Sequence, residues 1–354
     1  MGLKSVRIIG SGLIGTSIGL ALSAKGVDVE MVDSDEEAQA LAQELVGYSG
    51  EPDVADLIII AVPIGAFKKV IKSEFALNPN SIFIDISSVK TKPLVDVSEI
   101  DGLEERFCFT HPMAGREVGG AQSARGDLFA SRPWIITPTL LTSEHAIAIA
   151  TEVAEMCSAI TFHMPPAEHD KAVALVSHLP QILASLLAKA LTSGEPTWLE
   201  LSGQGLRDMT RLAGSSAVLW EEILSSNASH IRPLLISLQK DLTILVESLN
   251  DSRVAHALIE DGNKGRERIP GKHGGTARDY TYVPIVIQDK PGQLAALFNE
   301  CAVAGVNVED LTIEHTPGQF TGLVTLAILS SLDAYKLTTH LSTRGWSIHA
   351  SRNS

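Results

Sequence analysis

Val6-Arg7-Ile8-Ile9-Gly10-Ser11-Gly12-Leu13-Ile14-Gly15-Thr16-Ser17 reads as a strand, a glycine turn and the start of a helix. Gly10 permits the tight turn, Gly12 has no side chain to keep a pyrophosphate from the backbone, and Gly15 lets the helix approach the sheet. The free N–H groups of the helix start would face the phosphates. Gly10, Gly12, Leu13, Ile14 and Gly15 are therefore candidate dinucleotide contacts. Such glycine turns are common, so the surrounding chain has to decide the reading.

Outward from this turn, residues 6 to about 163 alternate short apolar runs with amphipathic segments, the pattern of a mostly parallel, doubly wound α/β sheet. Strands are expected at 6–9, 27–32, 56–62, 81–85, 106–110, 133–137 and 159–163. The second ends in Asp33, where an acidic side chain accepts from both ribose hydroxyls and repels a 2′-phosphate. This favours NAD over NADP; the plainer reading is a polar residue that ends a strand. Strand 56–62 runs into Val62 and Pro63, and strand 81–85 into Asp85-Ile86-Ser87-Ser88-Val89-Lys90. Ligands of open α/β sheets collect at such carboxyl ends, which places Ser88 near a nicotinamide or substrate. A serine there also suits a helix cap. Strand 106–110 delivers His111-Pro112-Met113-Ala114-Gly115-Arg116-Glu117, which puts a histidine where a general base for an alcohol has to sit.

Near residue 165 the strands stop, and from Ala167 to about Glu260 the apolar positions follow helical spacing. Ser229 or Asn227 suits the cap of a long helix whose stripe runs from Ile231 to Leu249. That stripe and the apolar segment Ala172 to Leu191 suggest a helical dimerisation domain. Two polar clusters interrupt the region, Ser177-His178-Leu179-Pro180-Gln181 and Gly205-Leu206-Arg207-Asp208-Met209-Thr210-Arg211. Arg207 and Arg211 share a face in a helical turn, and an arginine fork can hold a carboxylate; a solvated turn with local Arg/Asp pairing is the alternative. Residues 263–280 read as a linker. Beyond them a β-α-β-β-α-β pattern indicates a small ferredoxin-like domain. The expected division is 1–165, 166–262, linker 263–280, and 281–354.

A net charge of −14 without a Lys/Arg cluster argues against a nucleic-acid partner. Cys108, Cys157 and Cys301 lie outside any metal-site spacing and read as small buried hydrophobes, and no metal is expected. No apolar run is long enough to suggest a membrane span, and the N-terminal apolar stretch is broken by Gly10, Gly12 and Gly15 with no small-residue cleavage site after it, so no signal peptide and a cytoplasmic protein are expected.

The segments Gly10–Gly15, Asp85–Lys90, His111–Gly115, Ser177–Pro180 and Arg207–Arg211, in this order and followed by Trp220, resemble the prephenate/arogenate dehydrogenases of tyrosine biosynthesis. Asp289-Lys290-Pro291-Gly292 with Gly305-Val306-Asn307-Val308 looks like the ligand turn and second strand of an ACT regulatory domain. The resemblance implies NAD-dependent oxidative decarboxylation of prephenate or arogenate by a homodimer. It also implies that His111 deprotonates the ring hydroxyl, Ser88 orients it, and Arg211 holds a carboxylate. His178, Gln181, Glu117 and Arg207 would shape the rest of the pocket. Many relatives carry a second histidine where this chain has Gln181. An aromatic amino acid, tyrosine in the simplest case, would bind near Gly292 and Asn307 and inhibit. Two other readings compete: a β-hydroxyacid dehydrogenase, and a non-enzymatic amino-acid sensor built on a Rossmann domain.

Overall fold

The protein is described by a computed structural model at residues 2–47, 55–115, 119–269, 280–315, 321–349 and 352–353. Its chain forms two compact units, Met1–Thr243 and Ile244–Ser354.

The first unit is built on a seven-stranded sheet in the order β2-β1-β3-β4-β5-β6-β7. The strands are β1 (Ser5–Ile9), β2 (Asp28–Val32), β3 (Leu57–Ile60), β4 (Ile82–Asp85), β5 (Phe107–Pro112), β6 (Pro133–Thr137) and β7 (Ile160–His163). The strands β1 to β5 run parallel, β6 is antiparallel to β5, and β7 is parallel to β6. All seven expected strands are present, with ends shifted by a residue or two. The helices α1 (Leu13–Ser23), α2 (Glu36–Val46), α3 (Ile64–Leu77), α4 (Thr91–Ser98) and α5 (Glu144–Met156) connect or cover them.

Both faces of the central strands are apolar because both are covered. On β3, Ile59 joins the core that includes Ile8, Ile18 and Trp134, while Ile58 and Ile60 join Phe67, Phe83 and Phe107 on the opposite face. The alternation of the pleat divides one continuous isoleucine run between two cores.

After β7 the unit continues as α6 (Pro166–Val173), a single π-turn (Ala174–His178), α7 (Leu179–Ala190), α8 (Pro196–Leu199), α9 (Gln204–Thr210), α10 (Ala217–Ser226) and the long α11 (Ala228–Glu247). By length and composition the helical run Pro166–Ser193 could cross a membrane. It carries His169, Asp170, His178 and Gln181 as buried, hydrogen-bonded groups, an interior that suits protein contacts better than lipid. The stripe expected on α11 buries Ile231, while Leu242 is 60% exposed. Asn227 directly precedes α11, but its side chain bonds the Asp170 carbonyl and the rings of His178 and His230 instead of capping the helix.

The second unit begins in the last turn of α11. Here α12 (Ser252–Glu267) runs beyond residue 262, where a linker is expected. Lys264 pairs with Glu260 and Asp261 one turn earlier, which offsets the helix-weakening Gly262 and Gly265. Residues 270–279 of the expected linker lie outside the described residues. There follow β8 (Thr281–Gln288), α13 (Gln293–Ala304), β9 (Asp310–His315), β10 (Thr321–Ile328), α14 (Ser331–Thr343), β11 (Ser347–Ile348) and β12 (Arg352–Asn353). The antiparallel sheet runs β11-β8-β10-β9, with β12 also on β8, and meets the expected β-α-β-β-α-β order. Its core joins Val283 and Ile285 of β8 to Leu297 of α13 and Leu337 of α14.

Candidate active site

The glycine turn separates two kinds of constraint. Gly10 has φ +117°, and a Cβ there would lie 2.3 Å from the Ala61 carbonyl oxygen; one on Gly15 would lie 2.1 Å from the Gly10 carbonyl oxygen. The fold itself requires these two glycines. A Cβ on Gly12 would meet nothing within 4 Å, so the fold does not explain that glycine, whereas a pyrophosphate against the α1 N-terminus would. Asp33, at the end of β2, accepts from the Ser11 amide at 2.6 Å and the Asp35 amide at 3.0 Å. Its carboxylate is thereby held beside the turn. The buried Ser11 hydroxyl has no partner among the described residues. Val62 and Pro63 follow β3, and the next amide, of Ile64, donates to Glu222 of α10 at 3.1 Å. These features fit a dinucleotide with free ribose hydroxyls.

At the end of β4 lies a buried ion pair. Lys90 Nζ donates to Asp85 at 2.6 Å and to the Thr110 carbonyl at 2.5 Å, and both charged side chains are fully buried. Asp85 also accepts from the Ser87 and Thr110 amides. A buried pair persists only when its remaining hydrogen-bonding capacity is met in this way. Burial pulls the Lys90 ammonium below its ordinary pKa, against the attraction of Asp85. The pair fastens the β4–α4 turn, with half-buried Ser88 in it, to β5 just before His111. The neighbouring Ser87 hydroxyl is buried without a partner among the described residues.

His111 ends this chain of contacts. Its Nδ1 lies 2.9 Å from His169 Nε2, and His169 Nδ1 lies 2.8 Å from Asp170 Oδ1. Burial, followed by the nearby His169, Lys90 and His178, pushes His111 well below the ordinary histidine range, so the ring is neutral at pH 7. Asp170 is ionised. Burial works to raise its pKa, but hydrogen bonds from His169, Thr91 and Lys90 outweigh it and hold the carboxyl at about 2. The Asp170 oxygens also cap α4, accepting from the amides of Lys90 at 2.7 Å and Thr91 at 2.8 Å.

His178 closes the π-turn and is buried against Trp220, with ring centroids 5.8 Å apart. Burial pushes it down to about 4. An extra residue in a helical turn is a recognised way to aim a side chain at a site. Gln181 is buried one turn later: its Nε2 donates to the Leu212 carbonyl at 2.9 Å, and its Oε1 accepts from Ser215. The amide thus ties α7 to the turn beginning at Arg211. Arg211 caps the C-terminus of α9 and Arg207 lies in its last turn, both exposed, so the expected shared helical turn ends just before Arg211. Glu117 lies outside the described residues.

Family models match two adjoining stretches, "Prephenate dehydrogenase, nucleotide-binding domain" over residues 18–162 and "Prephenate dehydrogenase, dimerization domain" over residues 165–260. A curated relative, "Probable prephenate dehydrogenase NovF" of Streptomyces niveus, is 32% identical across 97% of this chain and 99% of its own length. The chain belongs to the prephenate dehydrogenase family. A cyclohexadienyl dehydrogenase of Zymomonas mobilis is 32% identical, covering 76% of this chain and 97% of the relative. The solved prephenate dehydrogenase of Aquifex aeolicus superposes with a TM-score of 0.66 at 25% identity, covering 74% of this chain and 99% of that one.

Within this prephenate dehydrogenase fold, sequence reasoning missed His169 and Asp170 and read Asn227 only as a helix cap. The signal available was the adjacent His-Asp pair in the polar run Glu168-His169-Asp170-Lys171, just after Pro165-Pro166 and ahead of the apolar segment Ala172 to Leu191. Polar neighbours in that position need buried partners to be tolerated, and here they have them.

Proposed function

We propose that the chain catalyses NAD-dependent oxidative decarboxylation of prephenate to 4-hydroxyphenylpyruvate. The observation that carries this reading is a neutral, buried His111 at the carboxyl end of β5, with one ring nitrogen committed to His169. Membership of the family supplies the substrate class. NAD, when bound, accepts the hydride from the ring carbon that bears the hydroxyl. His111 takes the hydroxyl proton as that oxygen becomes a carbonyl; carbon dioxide leaves, its bonding pair moves through the ring to that oxygen as the ring becomes aromatic, and His111 returns the proton to give the phenol. Aromatisation supplies driving force, so the protein's main tasks are positioning and polarisation.

In this reading Ser88 orients the hydroxyl, Arg211 holds a substrate carboxylate, and His178, Gln181, Arg207 and Glu117 line the remaining pocket. Gly10, Gly12, Leu13, Ile14, Gly15, Asp33, Val62 and Pro63 hold NAD. Arogenate is the second substrate to test, because Gln181 is neutral at every pH and the family includes a cyclohexadienyl dehydrogenase. Parallel assays with prephenate and arogenate, each with NAD and NADP, test the reading. NADH formation with prephenate is expected; no turnover of either substrate would refute it.

The proposed domains are a nucleotide-binding domain at 1–165, a helical substrate and dimerisation domain at 166–262, and an ACT domain at 281–354. The exposed apolar side chains Ile236, Leu242 and Val246 of α11 support a homodimer, and the proposed location is cytoplasmic. For regulation, Asn307 lines a cleft of about 480 Å³ with Phe298, Val308 and Leu311, a size that suits an amino acid. Gly292, the other proposed effector residue, sits at the start of α13 with φ +87°. Inhibition of NADH formation by tyrosine tests this, and an unchanged rate at saturating tyrosine would remove tyrosine as the effector.

A further inference from the structure

We propose that His169 and Asp170 act as positioning residues that hold His111 in its Nδ1–H tautomer and leave Nε2 as the proton acceptor. The proposal deepens the reading above and rests on it for the identity of the substrate.

The tautomer follows from counting donors. Asp170 Oδ1 faces the Lys90 amide, and Oδ2 faces the Thr91 amide and hydroxyl. Three donors converge on these oxygens and keep Asp170 ionised, so neither oxygen carries a proton, and the remaining contact, at 2.8 Å on Oδ1, requires the proton to sit on His169 Nδ1. Burial keeps His169 below its ordinary range, and the ring is neutral with a lone pair at Nε2. That nitrogen lies 2.9 Å from His111 Nδ1 and accepts its proton. In neutral His111 the other nitrogen, Nε2, is then bare. Free imidazole side chains favour the opposite tautomer, with the proton on Nε2, which would present a donor to the substrate hydroxyl and could not remove its proton.

The same contacts explain the rigidity of the arrangement. His169 and Asp170 belong to α6, while Lys90 and Thr91 open α4 and His111 ends β5. The relay therefore spans three elements, and Lys90, His111, His169 and Asp170 are buried with their partners in place. Partners of this kind fix ring orientation and basicity, and removing one from a metal-bound histidine costs about 10 to 100-fold.

The test compares full-length His169→Leu, which removes the acceptor, with His169→Gln, whose carbonyl oxygen can accept from His111 Nδ1. In steady-state assays with prephenate and NAD, His169→Leu should lower kcat about 100-fold with KM for prephenate nearly unchanged, and His169→Gln should regain at least about tenfold. A purely structural role for His169 would make the two variants fall together or move the loss into KM, and either result overturns the proposal. Nitrogen-15 spectra of histidine-labelled wild-type protein, with His111 assigned through His111→Asn, give a readout independent of turnover. A neutral ring protonated at Nδ1 is expected, and one protonated at Nε2 overturns the relay. If the wild-type protein turns over neither substrate, the functional reading fails while the spectrum still decides the relay.

Discussion

Asp170 accepts from Thr91 twice, through the amide at 2.8 Å and the hydroxyl at 2.5 Å, and so joins the start of the helical region to the first turn of α4. One carboxylate serves as helix cap, inter-element clasp and anchor for His169. Replacing Thr91 by valine removes the hydroxyl donor and should cost about 1.5–3 kcal/mol, the range for a hydrogen bond to a charged group. Urea unfolding measures it.

The same carboxylate has a pH signature. Its folded value of about 2 lies below the ordinary 3.8, so its stabilisation is present above pH 3.8 and lost as pH falls through 2. The expected contribution is about 2 kcal/mol. His178 acts in a higher window: the fold prefers its neutral ring and holds it at about 4 against 6.5. His178 should therefore contribute a loss of about 3 kcal/mol as pH drops from 6.5 toward 4, beside the losses from His111 and His169, which burial also holds low. Denaturation midpoints across pH 4–7, compared with His178→Phe, separate that window from the lower one; an unchanged slope in the variant would contradict it.

The glycine turn yields a contrast between two similar substitutions. Gly15→Ala should destabilise the protein by several kcal/mol or prevent folding, since its Cβ would meet the Gly10 carbonyl oxygen at 2.1 Å. Gly12→Ala should fold with an unchanged Tm, since a Cβ there meets nothing, yet bind NAD at least about tenfold more weakly, an expected loss of about 1.4 kcal/mol. Thermal melts with and without NAD distinguish the two effects.

Cofactor preference depends on the Asp33 charge. Asp33→Ser removes the group that would repel a 2′-phosphate, and the ratio of kcat/KM for NADP to that for NAD should rise at least about tenfold. A ratio that stays the same in the variant would show that other groups set the preference.

Much of the first unit was legible in the sequence because strands buried on both faces leave short apolar runs, and these recur between amphipathic helices. Ile58, Ile59 and Ile60 are such a run. His111 was legible for a related reason: it stands at a carboxyl strand end, before Pro112. Its partners were not, because His169 lies 58 residues away and nothing local marks which nitrogen faces which. Gln181 illustrates another limit. Its amide also bonds Leu212 and Ser215, a tertiary arrangement with no trace in local spacing. The helix through Glu267 escaped because Gly262 and Gly265 look like linker residues, while the Lys264 pairs that support it act across a turn.

The most direct test of the account is the conversion of prephenate by wild-type protein and by His111→Asn, with NADH and 4-hydroxyphenylpyruvate quantified together. One NADH per 4-hydroxyphenylpyruvate is expected in the wild type. In His111→Asn kcat should be lower by about 10²–10⁴, the usual worth of a general base, with KM for prephenate largely retained. A His111→Asn variant that turns over prephenate at the wild-type rate would contradict it.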